Sequence, residues 1–98
     1  MTKIYELLAD EKNWTRGAFA RTENGVHINP NHPEAVCWCL MGAKSKCYPD
    51  VDNYDVTCKL INAFKVKFGK NYKSIYNWND ANQTTHADIV NFCKELDI

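Results

Sequence analysis

The sequence predicts a mainly α-helical fold: a compact bundle of about four helices carrying a small β-hairpin insertion. Two observations predict it. Apolar residues recur at three- and four-residue intervals in four separate stretches, the spacing of a helix with one buried face. Between the first and second stretch lies Asn24-Gly25, the strongest short-range hairpin signal, flanked by Phe19 and by Val26-His27-Ile28. No linker, repeat or low-complexity run divides the chain, so residues 1–98 read as a single domain.

The first helix is expected over residues 2–11, capped by Thr2, with Ile4, Leu7 and Leu8 facing inward and Trp14 folding back over them. A lone hairpin is marginal in water, so the ribbon at Asn24-Gly25 has to lean on the helices. Asn29-Pro30-Asn31-His32-Pro33 is turn chemistry that ends it. The second helix is expected from Pro33 to Lys46, because proline is tolerated in a first turn. Its inner face, Val36, Cys39, Leu40, Ala43 and Cys47 with Gly42 nearby, is mostly small, which lets a neighbour approach closely and suggests the central helix. The third helix starts near Asp52 or Asn53, with Val56, Leu60, Phe64 and Phe68 inward, and Gly69 ends it in a left-handed cap. A short helix over 72–79 carries Ile75 and Trp78. Thr85 and Asp88 then form a capping box that opens the last helix, with Ile89, Phe92, Cys93 and Leu96 inward.

Composition narrows the function. Twelve basic residues balance twelve acidic ones, whereas nucleic-acid binders usually carry a basic excess. Only Lys59, Lys65, Lys67, Lys70 and Lys73 form a local basic stretch, so nucleic acid is an unlikely partner and remains the third reading. No apolar run approaches the roughly 20 residues needed to cross a bilayer. The N-terminal residues include Glu6 where a signal peptide would be apolar, so residence in the cytoplasm is expected. Five cysteines, Cys37, Cys39, Cys47, Cys58 and Cys93, are an odd count, which argues for free thiols rather than a disulfide framework.

Four segments stand out in order: Trp14-Thr15-Arg16-Gly17-Ala18, Trp38-Cys39-Leu40-Met41-Gly42-Ala43, Trp78-Asn79-Asp80-Ala81, and Thr85-His86-Ala87-Asp88-Ile89-Val90. The series resembles a family of small proteins of bacteriophages and actinobacteria with a domain of unknown function. The resemblance runs from about Ile4 to Leu96 and implies a phage or bacterial origin, with no established activity. The chain is rich in Lys, Asn and Tyr where the actinobacterial relatives are rich in Ala and Arg, which suggests a low-GC host or its phage.

Three kinds of site can be assembled from these residues. Trp78, Asn79, Asp80, Thr85 and His86 form a candidate ligand site: the helix start offers unpaired N–H groups to an anion, His86 a donor and Trp78 a stacking face. Capping by Asp80 and Thr85 is the commoner use of such residues. Cys39 with His86 and Asn79 or Asp80 supplies the residue types of a cysteine nucleophile, but a thiol inward on a helix is desolvated and poorly ionised. Zinc is not expected, since Cys37 and Cys39 on one helix would point about 200° apart. Neither metal nor cofactor is therefore assigned. Three tryptophans, five tyrosines and four phenylalanines are more aromatic surface than a chain this size can bury fully. Trp38, Tyr48 and Tyr54 are the candidates for an exposed interface, with packing under the Asn24-Gly25 hairpin as the equal alternative for Trp38.

The leading expectation is a small non-catalytic binding protein, phage-encoded, acting in the host cytoplasm on a defence protein or sequestering a signalling nucleotide. Its partners would be a host protein or a small anionic ligand, and not a membrane. The alternative is a small enzyme or ligand-processing domain built on His86, Asp80 and Cys39.

Overall fold

The structure is a computed structural model that describes residues 2–49 and 54–98. The described residues form five α-helices and one two-stranded antiparallel ladder. The helices are α1 (Ile4–Leu7), α2 (Leu40–Cys47), α3 (Tyr54–Phe68), α4 (Ile75–Asp80) and α5 (His86–Leu96); the strands are β1 (Ala20–Arg21) and β2 (Cys37–Trp38). The mainly helical class with a small hairpin is as the periodicity predicts.

α1 is shorter than expected, a single turn capped by Lys3 rather than Thr2. Short polar side chains compete for its continuation. Asp10 accepts the Lys12 N–H at 3.0 Å and starts a separate 3-10 turn over Glu11–Asn13, and Asn13 Nδ2 donates to the Leu7 carbonyl at 2.9 Å. Ile4 and Leu8 still reach the core. The C-terminal residue closes over this helix: Ile98 is buried and its carbonyl accepts the Tyr5 N–H at 3.3 Å.

The turn at Asn24-Gly25 forms, with Gly25 at φ +82° and its N–H on the Thr22 carbonyl at 2.9 Å. Its return limb pairs only locally, through Thr22 with Val26, Ala20 with Ile28, and one bridge from Arg21 to His27. The ladder proper joins Ala20 to Trp38 and Arg21 to Cys37. The partner strand therefore comes from the segment expected to be the first turns of the second helix. That helix begins at Leu40, not at Pro33. Residues before it find backbone partners elsewhere: Val36 N–H on the Arg21 carbonyl at 2.9 Å and Cys39 N–H on the Phe19 carbonyl at 3.2 Å. Cys39 becomes the N-cap, its Sγ accepting the Gly42 N–H at 3.2 Å. Val36, placed on the inner face by helical spacing, is accordingly exposed.

The expectation of close approach on this helix holds in detail. A Cβ on Gly42 would stand 1.8 Å from the Phe19 carbonyl oxygen, so the loop lies directly on the α2 backbone. Leu40 and Ala43 are fully buried beside it.

The described part of α3 buries Leu60 and Phe64, with Phe68 half-buried. The expected start near Asp52 or Asn53 lies outside the described residues. Gly69 follows α3, but the left-handed glycines are Gly17 and Gly25, so it is not the left-handed cap expected. α4 is capped by Ser74 and α5 by the reciprocal Thr85–Asp88 box. An aromatic cluster unites α3, α4 and α5. Trp78 stacks on Phe68 at 4.5 Å between ring centroids and meets Phe92 edge-on at 5.1 Å.

Candidate functional site

Asn79, at 2% exposure, is the buried polar residue that organises this region. A buried amide needs all its hydrogen-bonding capacity satisfied, and here it is. Oδ1 accepts the Trp14 indole N–H at 2.9 Å and the Leu40 backbone N–H at 3.0 Å. Nδ2 donates to the Thr15 carbonyl at 3.2 Å and to Asp80 Oδ1 at 2.9 Å. Asn79 thereby ties the loop after the 3-10 turn, the start of α2 and the end of α4 into one unit.

Asp80 extends the tie, its Oδ1 also accepting the Gly17 N–H at 2.9 Å. Arg16 lies over the Trp14 ring, its guanidinium carbon 4.6 Å from the centroid, and donates to the Thr84 carbonyl. Arg21 donates to Thr15 Oγ1, the Gly25 carbonyl and the Arg16 carbonyl at 3.0–3.1 Å. Both arginines thus hold the loop in shape.

The loop, the start of α2 and the outer face of α4 enclose a cleft of about 410 Å³. Phe19, Ile28, Met41, Ile75 and Tyr76 supply its large apolar side chains. Phe19 and Tyr76 meet edge to face at 5.8 Å and are both about half exposed. The polar lining comes from His27, Cys39, Asn79 and Asp80. A largely apolar cleft with a few convergent polar groups is the usual form of a small-ligand site. A second depression of about 360 Å³, between α3 and α5, is walled in part by Lys67, Asp88 and Glu95. Lys67 and Glu95 neutralise each other there as an ion pair.

A family model described as a family of unknown function, DUF6197, matches residues 1–96. The chain belongs to that family. No curated protein and no solved structure matches it. The four segments singled out in the sequence meet in this DUF6197 chain: Trp14, Thr15 and Gly17 bond to Asn79 and Asp80, Leu40 bonds to Asn79, and the His86 ring lies 6.2 Å from that of Trp14.

The structure divides the candidate ligand residues. Asn79 and Asp80 line the cleft. Trp78 does not offer a stacking face to a ligand as expected, because at 3% exposure its ring is packed among Phe64, Phe68 and Phe92. Thr85 caps α5, its Oγ1 accepting the Asp88 N–H at 3.2 Å while Asp88 accepts the Thr85 N–H at 2.9 Å. His86 turns toward α1: Nε2 meets the Leu8 carbonyl at 2.5 Å and the ring lies 6.2 Å from Trp14. A carbonyl only accepts, so Nε2 carries the proton in that bond. His86 is absent from the cleft lining, and the imidazole there is His27, which helical and capping patterns did not single out.

Cys39 is 5% exposed, and burial pushes its thiol above the ordinary value despite the N–H groups of Gly42 and Met41. The helical argument against paired chelation by Cys37 and Cys39 does not apply, since Cys37 is on β2 and Cys39 caps α2. Among the described residues no three potential ligands cluster about a common point.

Of the interface candidates, Trp38 is not exposed but packs under the turn, the alternative reading. It is 7% exposed, and its indole N–H donates to the Pro30 carbonyl at 2.9 Å beneath the turn. Tyr48 is half-buried at the end of α2, and burial raises its phenol. Tyr54 is 71% exposed at the first described turn of α3. The exposed aromatics that share a surface are instead Phe19 and Tyr76.

Proposed function

We propose that this protein is a small non-catalytic binding protein and that the Phe19–Tyr76 cleft is its ligand site. The observation that carries the reading is the cleft itself: about 410 Å³, mostly apolar, with half-exposed aromatic walls. Its polar groups suit binding better than catalysis. Asn79 is fully engaged in structural hydrogen bonds, and the Cys39 thiol is buried and biased against ionisation. A cysteine nucleophile requires the thiolate and a base, and His86 bonds to Leu8 instead.

The family resemblance supports a phage-encoded protein working in the host cytoplasm on a host molecule, a defence protein among the candidates. The cleft lends no support to a signalling nucleotide as the captured molecule, because no lysine or arginine lines it among the described residues.

Two measurements test the proposal. Native mass spectrometry after exposure to host lysate should show a retained small mass, lost in Tyr76→Ala. A bare protein throughout would remove the support for a ligand site. Native-state thiol alkylation, read by peptide mass, should modify the half-buried Cys37 and Cys58 before Cys39. Preferential modification of Cys39 would restore the enzyme reading.

A further inference from the structure

We infer that the cleft selects a small organic cation: an ammonium or amidinium group carrying an apolar body. This deepens the binding reading above and rests on it.

Charge on the cleft lining decides the class. Asp80 is the one acidic side chain there, and no lysine or arginine stands opposite it among the described residues. Its two carboxylate oxygens have different roles. Oδ1 takes both structural donors, Gly17 N–H and Asn79 Nδ2, each at 2.9 Å. Oδ2 receives no donor from the described residues, and Asp80 is exposed. The nearby arginines are held elsewhere, Arg16 on Trp14 and the Thr84 carbonyl, Arg21 on Thr15 and two loop carbonyls. The carboxylate is therefore pre-positioned by two bonds through one oxygen and open through the other. It also terminates α4, an end of a helix that favours positive charge.

The remaining walls suit the apolar body of such a ligand. Met41, Ile28 and Ile75 offer dispersion contacts, and Phe19 and Tyr76 bring two aromatic rings to the lining, groups whose faces attract a cation when water is excluded. An anion would meet the Asp80 carboxylate with no compensating charge. His27, Cys39 and Tyr76 are the other side chains of the lining that carry an ionisable group.

The test uses three probes with a similar phenyl-terminated body and different charge: phenethylammonium, 2-phenylethanol and 3-phenylpropionate. Each is titrated into the 15N-labelled full chain and followed by amide chemical shifts. Phenethylammonium should move the amides of Gly17, Phe19, Tyr76 and Asp80 and bind about tenfold tighter than 3-phenylpropionate. Asp80→Asn keeps a neutral acceptor for Gly17 and Asn79. It should retain the wild-type spectrum elsewhere and lower phenethylammonium affinity to that of 2-phenylethanol. If 2-phenylethanol binds the cleft as tightly as the cation, the cleft stands as a site and the cation preference is overturned. Tighter binding of 3-phenylpropionate overturns it outright. If no probe moves the cleft amides, the binding reading and the inference fall together.

Discussion

Replacing Gly42 with alanine sets two forces against each other. In an isolated helix the change is favourable by about 1 kcal/mol, since alanine is the best helix former and glycine nearly the worst. In this protein the new methyl would lie 1.8 Å from the Phe19 carbonyl oxygen and 2.8 Å from its carbon. Backbone cannot swing aside as a flexible side-chain tip would. Ordinary contact requires the loop to retreat by about 1.6 Å. The same carbonyl accepts the Cys39 N–H at 3.2 Å, and the next residue, Ala20, is fully buried in the ladder with β2. The retreat therefore loses one hydrogen bond, about 1 kcal/mol, and strains a packed contact by roughly 1–3 kcal/mol. After the helix gain, a net loss of about 1–3 kcal/mol is expected, a fall in Tm of roughly 5–15 °C for a chain of this length. Urea unfolding followed by far-UV circular dichroism gives the free energy directly. Because Phe19 walls the cleft, probe binding should weaken in the same variant. A Gly42→Ala protein as stable as the wild type, or more so, would refute the reasoning. It would mean that the loop does not rest on α2.

Three further outcomes follow from the same geometry. Asn79→Ala leaves the Trp14 indole and Leu40 N–H without their acceptor and should cost about 2–5 kcal/mol in urea unfolding; a loss under about 1 kcal/mol would show that water replaces the amide. Thr84 is 2% exposed and its hydroxyl has no partner within the described residues, so Thr84→Val should be neutral or stabilising by about 1 kcal/mol, measured by thermal unfolding. Burial raises the Cys47 thiol from 9.0 to about 11 and the Cys93 thiol from 9.0 to about 12. Above pH 9 the unfolded chain releases these protons while the folded chain keeps them, so stability is full below that value and falls as pH rises toward the folded values. Each thiol contributes a slope of about 1.4 kcal/mol per pH unit in that window. Cys93→Ala, though less stable throughout, should lose Tm less steeply above pH 9 than the wild type, and an unchanged slope would exclude its thiol as a source.

The helices that span several turns were legible because their information is local. Leu60 and Phe64, or Ile89, Phe92 and Cys93, meet on one side of a helix through spacing alone, and the Thr85–Asp88 box is complete within four residues. Gly42 among small neighbours likewise announced a close approach without saying what approaches. The β2 segment was not legible, since Val36-Cys37-Trp38-Cys39 carries helical spacing and is made a strand and a cap by distant backbone groups of Phe19 and Arg21. The candidate site shows the same division. Sequence brought forward Asn79 and Asp80 as a polar pair, but the cleft exists only where Phe19, Met41 and Tyr76 converge from three separate parts of the chain. Trp78 read as a stacking face because it lies beside the polar loop, and Trp38 read as either exposed or packed under the hairpin because composition counts aromatics without locating them; packing against Phe68 and the bond to the Pro30 carbonyl decided their burial. Residue spacing thus determined which face of each long helix turns inward, through the fixed helical period. Long-range hydrogen bonds through Asn79 decided how the loop after the 3-10 turn, α2 and α4 meet, and where they leave a cleft.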